Sequence, residues 1–565
     1  MLFRRGSRFR VREIAPDEIF LDSSNLPHRD DLQFEGRVVK PLSRRAIFGI
    51  VVGFFIIVLG FVGRAFDLEL KNGALYADVS RENRLERSVV FAERGLIVDR
   101  VGTQVAWNEA SFGTTSSPYA LRRYIESPGL SLLLGFVRYP KSDASGSWWR
   151  EEMTGVSGVE LAFNDALEGK NGSVLTETNA LGDVEGQNIV VPPQRGSDIR
   201  LSIDAELQSK LFLYLASHAR TQGFEGGAAT IMDVRTGELL ALTSFPEYDH
   251  AAFTNGDAEA IAAAQSDTRT PLLNRAVSGL YAPGSIVKPI FAAAALNEKI
   301  ISPEKEILSI GAITVPNPYF PDKPSVFRDW TVHGLVDMRE AIAVSSDEYF
   351  YTIGGGYGSQ QGLGIRRLDE YARKFGLGSP TGIAFIGEES GVIPTPEWKE
   401  KVFGPDDPWR IGNTYHTAIG QFGFQMTPLQ AVRFIAAVAN GGNLMVPKIV
   451  SSSTPSFISV GVPDEHLQVV REGMRMAVTS SRSDATVKVL NIRGIQIAAK
   501  TGTAQIGSKN QWVNSWSVGF WPAEDPKYAY AVVLEKAPAG IRAGAAPGLL
   551  PFFQWLIVAR PEYVN

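Results

Sequence analysis

Apolar residues form one unbroken run near the N-terminus, and this run predicts a membrane-spanning helix. Residues 46–63 carry no charge and are almost all apolar. At about 1.5 Å per residue, such a helix nearly covers the ~30 Å of bilayer hydrocarbon. Because basic residues are concentrated before the run, the positive-inside rule predicts a cytoplasmic N-terminus and export of everything after Arg64. The nearest of these basic residues are Arg37, Lys40, Arg44 and Arg45.

The run is typical of a permanent anchor rather than of a cleaved signal peptide. It is long, a polar segment of 45 residues precedes it, and no small-x-small cleavage site is evident nearby. We therefore predict a tail over residues 1–45 and an anchor over residues 46–66. Four glycines lie within about 80° of arc on this helix, which would let another helix approach closely, although glycine is also common in membrane helices. They are Gly49, Gly53, Gly60 and Gly63.

Beyond the anchor, two regions differ in their pattern. Residues 67–200 are polar, with short strand signals separated by turns, and predict a non-catalytic domain. Residues 201–565 begin and end with strand-like runs that bracket a helix-rich middle. Strands from both ends of one region, flanked by helices, are typical of an α+β domain with an antiparallel sheet. The predicted strands are 228–233, 238–244, 495–502, 515–520 and 528–535.

Three short motifs in the second region carry the candidate chemistry. They are Ser285-Ile-Val-Lys288, Ser345-Ser-Asp347 and Lys500-Thr-Gly-Thr503, in that order. Order and spacing match a serine acyl-transferase that opens peptide or β-lactam amides. Each motif alone is weak, because Ser302–Lys305 and Ser202–Asp204 fit the first two patterns elsewhere in the chain. We interpret Ser302–Lys305 as a capping serine with an exposed lysine.

Ser285 is the predicted nucleophile. Pro283-Gly284 is a turn pair and the alanine-rich run that follows favours a helix, so Lys288 lies one turn after Ser285 on the same face. A serine hydroxyl needs an adjacent base. A lysine can serve once burial, or a second cation such as Lys500, lowers its pKa. The helix N-terminus would also supply N–H groups where an oxyanion forms.

The second motif predicts a proton relay. Ser345 follows a run with helical spacing, and a serine in that place can pass a proton between Lys288 and a departing amine. Asp347 could orient that relay, or it could hold Lys288 or Lys500 in the charged form.

The third motif lies on a strand-like run. Alternation places Lys500 and Gly502 on one face and Thr501 and Thr503 on the other. Gly502 would leave room for a substrate backbone. The lysine and the two threonines offer one charge and two hydroxyls to a substrate carboxylate.

Composition excludes several other functions. The 565-residue chain has no cysteine, so it has no thiolate nucleophile and no disulfide, and its six histidines show no metal-ligand spacing. A net charge of −5 argues against nucleic acid as the main partner. We expect no metal and no cofactor.

Over residues 81–560 the chain resembles the class B penicillin-binding proteins, and most of all their penicillin-binding protein 2 branch, the elongation-class peptidoglycan D,D-transpeptidases. Besides the three motifs, the resemblance is carried by segments on either side of them. Asp347 and the Pro394–Lys399 stretch favour the elongation class over the division class. The further segments are Arg94–Arg100, Gly155–Glu160, Leu201–Gln208, Asn274-Arg275, Gly391–Lys399, Thr427–Gln430 and Ala439–Gly442.

The resemblance implies a transpeptidase domain of the penicillin-binding protein and β-lactamase type over residues 201–565, on a pedestal (dimerisation-type) domain over residues 67–200. Ser285 would attack the D-alanyl-D-alanine bond of a peptidoglycan stem peptide, Lys288 would take its proton, and Ser345 would return it. Penicillins would acylate the same serine. N–H groups of Ser285 and Thr503 would form the oxyanion hole. Expected partners are a glycan polymerase of the SEDS family and other elongation proteins at the bacterial inner membrane.

Two departures from the family pattern affect these expectations. Phe422 separates Gln421 from Gly423, where relatives have glycine directly after glutamine, and this reshapes a loop near the site. The segment between Asn108 and Leu134 is short, so the pedestal is expected to lack most of the head that contacts a polymerase. Two alternatives also stay open: a carboxypeptidase or β-lactamase that uses water as acceptor, and a catalytically silent β-lactam sensor or scaffold.

Overall fold

The computed structural model describes residues 43–82, 85–110, 117–178, 184–317, 320, 322–385, 387–451, 454–541 and 543–564. The predicted tail therefore lies outside the described residues, except for its last three positions. The chain divides into two compact units. One contains residues 1–86 and 176–186, and the other contains residues 87–175 and 187–565.

The predicted anchor is a helix, Arg44–Phe66, and it continues as a π-helical turn over Asp67–Lys71. The Ser43 hydroxyl accepts a hydrogen bond from the N–H of Ala46 and so caps the helix N-terminus. None of its residues is buried, and the mean hydropathy reaches 2.8. Within the described residues it is the one helix long and apolar enough to cross a membrane. A second helix, Gly73–Glu82, follows.

The region before residue 201 is rich in short strands, as predicted. A four-stranded sheet has the order Ile199–Arg200, Ile97–Val98, Gln104–Glu109, Leu121–Tyr124. The other strands are Leu85–Val90, Val137–Arg138, Lys141–Ser142, Trp148–Arg150, Thr154–Gly155, Gly172–Thr178 and Val184–Val191, and the helices are Ser131–Leu134, Gly158–Ala162 and Asn164–Leu167.

A buried ion triad stabilises this region. Glu160 accepts from Arg94 and from Arg122, each at 2.7 Å, and all three side chains are fully buried. Burial opposes the charge, yet the two guanidinium groups lower the pKa of Glu160. Two of the segments that carried the family resemblance, around Arg94 and Glu160, therefore meet in one structural contact.

The larger region is built on a five-stranded antiparallel sheet that joins both ends of the region, as predicted. Its order is Leu239–Phe245, Gly226–Asp233, Tyr528–Pro538, Trp512–Trp521, Ala498–Ile506. The third motif thus lies on an edge strand. Three two-stranded ribbons accompany the sheet: Ile307–Ser309 with Gly334–Val336, Ala312–Val315 with Ser325–Arg328, and Asn443–Met445 with Phe457–Ser459.

Helices cover the sheet, and two of them form the centre of the core. Lys288–Asn297 and Pro428–Ala439 are apolar and almost wholly buried, which their alanine-rich sequences allow. The remaining helices are Ala205–Gln222, His250–Asn255, Ala258–Ser266, Arg275–Ser278, Met338–Val344, Asp347–Gly355, Gly364–Lys374, Pro396–Phe403, Ile411–Ala418, Asp464–Thr479 and Ala545–Ala559, with 3₁₀ turns at Gly284–Val287, Lys488–Leu490 and Pro561–Tyr563.

Candidate active site

Ser285 lies on a 3₁₀ turn, Gly284–Val287, that leads directly into the helix Lys288–Asn297. The prediction that it begins a helix is confirmed. Ser285 is half-buried and lines an open groove, whereas Gly284, Ile286 and Val287 are buried. As the second residue of the turn, its N–H has no partner within the helix and is free to bind a ligand oxygen.

Lys288, at the start of the helix that follows the Ser285 turn, is buried and is held by the second motif. Its Nζ donates to Asp347 Oδ1 at 2.6 Å, to the carbonyl oxygen of Ser345 at 2.7 Å and to Ser345 Oγ at 3.3 Å. The Lys288 side chain is fully buried and that of Asp347 is 19% exposed. The sequence left open whether Asp347 orients the relay or holds Lys288 or Lys500 in the charged form. The 2.6 Å contact corresponds to an ion pair between Asp347 and the Lys288 ammonium.

Ser345 stands in a tight junction between two helices. The helix Met338–Val344 ends at Ser345, which adopts a left-handed φ of 60°, and the next helix begins at Asp347. A side chain in the left-handed region costs about 1–3 kcal/mol and persists only where its surroundings enforce it. Here the Ser345 N–H bonds to carbonyl oxygens of the preceding helix. The strained turn aims the hydroxyl at both lysines.

Lys500 approaches Ser345 from the edge strand. Its Nζ donates to Ser345 Oγ at 2.7 Å and to the Thr501 carbonyl oxygen at 2.8 Å, and the residue is fully buried. Burial, together with the nearby charge of Lys288, holds the pKa of Lys500 well below its ordinary value. The Ser345 hydroxyl therefore lies between the Lys288 ammonium, which is paired with Asp347, and the Lys500 amine, whose lowered pKa favours the neutral form.

The edge strand packs closely against the nucleophile turn. A Cβ on Gly502 would lie 2.7 Å from the Pro283 carbonyl oxygen and 3.0 Å from Ile286 Cγ2. A Cβ on Gly284, which has a φ of +56°, would lie 2.9 Å from the Thr503 carbonyl oxygen. Both glycines permit this approach. Thr501 and Thr503 point to the other, solvent-facing side of the strand, as the alternation predicted.

All three motifs line one groove of about 710 Å³. Ser285, Ser345, Asp347, Thr501, Gly502 and Thr503 form part of its wall, and the two lysines lie beneath it. The structure thus brings every predicted site residue together. The two decoys lie elsewhere: Ser302–Lys305 is a surface turn, and Ser202–Asp204 bonds to buried backbone and caps a helix.

A buried histidine network supports the Ser345 turn, and no sequence pattern indicated it. His333 Nδ1 lies 2.8 Å from Asp484 Oδ2, and its Nε2 lies 3.5 Å from Asp329 Oδ1. Asp329 in turn accepts from the Ser346 hydroxyl and from the N–H of Glu348. Burial works against the imidazolium, yet the two carboxylates raise the pKa of His333.

The same contacts affect both acids. Burial opposes their charge, but the histidine and other donors lower the pKa of Asp329 and of Asp484 to about 2. Asp484 and Trp330 also line the groove. The sequence does not mark these residues as a set, because Asp329, Trp330 and His333 lie in one segment and Asp484 lies 151 residues beyond His333. Within the described ranges, no group of three or more His, Asp or Glu side chains is arranged to hold a metal ion.

Known protein families and individual relatives match this chain in sequence. Residues 227–548 fit the model of the penicillin binding protein transpeptidase domain, and residues 112–201 fit that of the penicillin-binding protein dimerisation domain. The chain is 30% identical over 466 residues to the peptidoglycan D,D-transpeptidase MrdA of Haemophilus influenzae, which covers 76% of the chain and 68% of the relative.

Solved structures are also similar to this chain in fold. The complex of the penicillin-binding protein PBP2 with MreC from Helicobacter pylori superposes with a TM-score of 0.69 at 26% identity, covering 84% of this chain and 98% of that one. A structure described as coordinating polymerization and crosslinking in a peptidoglycan synthase complex gives a TM-score of 0.68 at 26% identity, covering 92% and 98%. The chain spans 61% to 70% of the length of the curated D,D-transpeptidases it matches.

Proposed function

This chain belongs to the penicillin-binding protein family, in its class B, PBP2-type branch, and we propose that it is a membrane-anchored peptidoglycan D,D-transpeptidase that cross-links stem peptides during cell elongation. One observation carries the proposal most directly. Ser345 Oγ lies 2.7 Å from Lys500 Nζ and 3.3 Å from Lys288 Nζ, beside a groove that exposes Ser285.

These contacts support a proton path for acylation. Ser285 Oγ attacks the carbonyl carbon of the penultimate D-alanine as its proton passes to Lys288. Because Asp347 holds Lys288 as an ammonium, Lys288 takes this proton only as it gives one of its own to Ser345 Oγ, and Ser345 gives its hydroxyl proton to Lys500 in the same step. Burial and the charge of Lys288 lower the pKa of Lys500, which favours its neutral form as the acceptor at the end of this path, so the net movement is one proton from Ser285 to Lys500.

The path runs in reverse when the amide bond breaks. Ser345, at the groove wall, protonates the nitrogen of the departing D-alanine and recovers its proton from Lys500. An amine of a neighbouring stem peptide then attacks the acyl-enzyme and loses its proton along the same path. The N–H groups of Ser285 and Thr503 stabilise the negative oxygen in both steps, since the two backbones meet at Gly284.

We assign the hydroxyls of Thr501 and Thr503 to the terminal carboxylate of the substrate. Both lie on the groove side of the edge strand. Lys500 is fully buried and bonded to Ser345, so it serves the proton path and leaves direct contact with the carboxylate to the two threonines. The same site would hold a penicillin and be acylated by it.

Location and partners follow from the anchor and the relatives. With basic residues before the Arg44–Phe66 helix, the tail of residues 1–45 is cytoplasmic and the pedestal (67–200) and transpeptidase (201–565) domains face the cell wall. One similar structure is a PBP2 with MreC and another belongs to a peptidoglycan synthase complex. We therefore include a SEDS-family glycan polymerase and a scaffold protein of the elongation machinery among the partners.

A cross-linking assay tests the function. The detergent-purified chain is incubated with uncross-linked glycan strands that carry pentapeptide stems, and the muramidase digest is analysed by mass spectrometry. We expect cross-linked dimers with the parent and none with Ser285→Ala. Tetrapeptides released without dimers would instead identify a hydrolase, and an unchanged digest would favour the silent scaffold.

A further inference from the structure

Phe422 adopts a backbone conformation that residues with a side chain rarely take. Its φ is +61°, in the left-handed region, and Gly423 follows with a φ of +78°. A non-glycine residue remains there only when surrounding contacts enforce it, and such residues cluster at functional sites. Phe422 is also the residue by which this chain departs from the usual Gln-Gly pattern.

The contacts that enforce it come from the Phe422 cluster, defined here as Trp398, Lys399, Phe403 and Trp409 around the Phe422 ring. Ring centroids lie 5.9 Å away for Trp398, 6.3 Å for Phe403 and 5.6 Å for Trp409. The Lys399 ammonium lies 5.7 Å from the Phe422 ring centroid. Edge-to-face aromatic pairs and a cation near the ring face both favour one fixed ring position.

Lys399 makes this cluster rigid. It is buried, and its Nζ donates to the Pro408 carbonyl oxygen at 2.9 Å, to Asn413 Oδ1 at 3.1 Å and to Asp407 at 3.0 Å. The cluster therefore ties the helix Pro396–Phe403 to the loop after it and to the following helix.

The turn that carries Phe422 also supports the nucleophile. The Gly284 N–H donates to the Gly420 carbonyl oxygen at 3.0 Å, and Tyr281 and Met426 exchange two backbone hydrogen bonds of 3.0 Å. A Cβ on Gly420 would lie 2.2 Å from the Gly284 carbonyl oxygen, so the two backbones are in direct contact. A shift of residues 420–426 is thus transmitted to Gly284 and to Ser285 beside it.

We propose that Phe422 is a positioning residue: its ring, fixed in the Phe422 cluster, holds the turn of residues 420–426 against Gly284 and thereby sets the place of Ser285. The inference rests on the proposed function, since it assigns a task in the same acylation. It makes the aromatic side chain at this position of the turn a device for rigidity.

The test measures penicillin acylation of the full chain in detergent by stopped-flow, which separates the dissociation constant of the first complex from the acylation rate constant. Phe422→Asn removes the ring but keeps a residue that tolerates the left-handed region. Phe422→Tyr keeps the ring. Lys299→Gly is a matched control, because Lys299 also has a left-handed φ, 53°, and lies away from the groove.

We expect Phe422→Asn to lower the acylation rate constant about tenfold to a hundredfold, with the dissociation constant unchanged, since a displacement approaching 1 Å has that effect. Phe422→Tyr should restore the rate, and Lys299→Gly should match the parent. Phe422→Leu, which keeps apolar volume, replaces the asparagine variant if that one fails to fold. An unchanged rate constant with a lower melting temperature would overturn the inference, as would a change confined to the dissociation constant. Formation of the parent adduct tests the proposed function separately.

Discussion

Gly502→Ala should slow acylation because it forces the edge strand away from the nucleophile turn. The added Cβ would lie 2.7 Å from the Pro283 carbonyl oxygen, whereas ordinary contact begins at 3.4 Å. The shortfall is about 0.7 Å, and the opposing atom is backbone, which cannot rotate away. The strand is also paired along its length with Trp512–Trp521, so it yields only by distortion.

Both stability and rate should respond. Overpacking of this kind typically costs about 1–3 kcal/mol. If the edge strand moves away by about 0.7 Å, Thr501 and Thr503 shift relative to Ser285. A misplacement approaching 1 Å can lower the reaction rate by about a hundredfold. We therefore expect acylation by a fluorescent penicillin to fall about tenfold to a hundredfold, with a modestly lower melting temperature.

The matched control is Gly186→Ala. Gly186 is also a strand glycine, and a Cβ there meets no atom within 4 Å in the part of the chain that the structure describes. It should acylate at the parent rate. If Gly502→Ala also acylated at the parent rate, the close packing of strand and nucleophile turn would not matter for the chemistry, and the reasoning would be refuted.

Two further predictions concern the charges of the site. Lys288→Ala should slow acylation by about 10²–10⁴-fold, the usual contribution of a positioned proton-transfer group, while Lys305→Ala, which changes the lysine of the decoy motif, should leave the acylation rate unchanged. Equal acylation rates for Lys288→Ala and the parent would remove Lys288 from the mechanism. Acylation should also fall as the pH rises through the raised pKa of His333, because the imidazolium that joins Asp329 and Asp484 is then lost. The contribution of this imidazolium to the stability of the fold is complete below the ordinary histidine pKa of about 6.5 and is lost as the pH rises through the raised pKa of His333. His333→Gln should abolish this step in the pH–rate profile, and a step that persists in the variant would assign it to another group.

Local pattern predicted a large part of this molecule. The helix after Ser285, the helix before Ser345 and the strands at both ends of the catalytic region follow from helix propensity and alternation, and the structure has them with ends that differ from the predicted ones by at most four residues. The order and spacing of the three motifs indicated that they share one site, because that pattern is typical of serine acyl-transferases.

The remaining features depend on contacts between distant segments. Asp329 and His333 lie four residues apart, but they meet Asp484 only when a segment 151 residues from His333 folds against them, so no spacing marks the set. The partner chosen by Asp347 was likewise open until Lys288 was seen to lie 2.6 Å away. The sequence predicted that Gly502 leaves room for the substrate. It could not show that Gly502 also permits the edge strand to pack closely against Pro283 and Ile286.

Intact-mass spectrometry of the detergent-purified chain after incubation with a penicillin shows whether Ser285 is the acylated nucleophile. We predict one added drug mass on the parent, persisting for hours, and none on Ser285→Ala, whose melting temperature should match the parent because the change removes one oxygen from a half-buried residue. An adduct of equal yield on Ser285→Ala would contradict it.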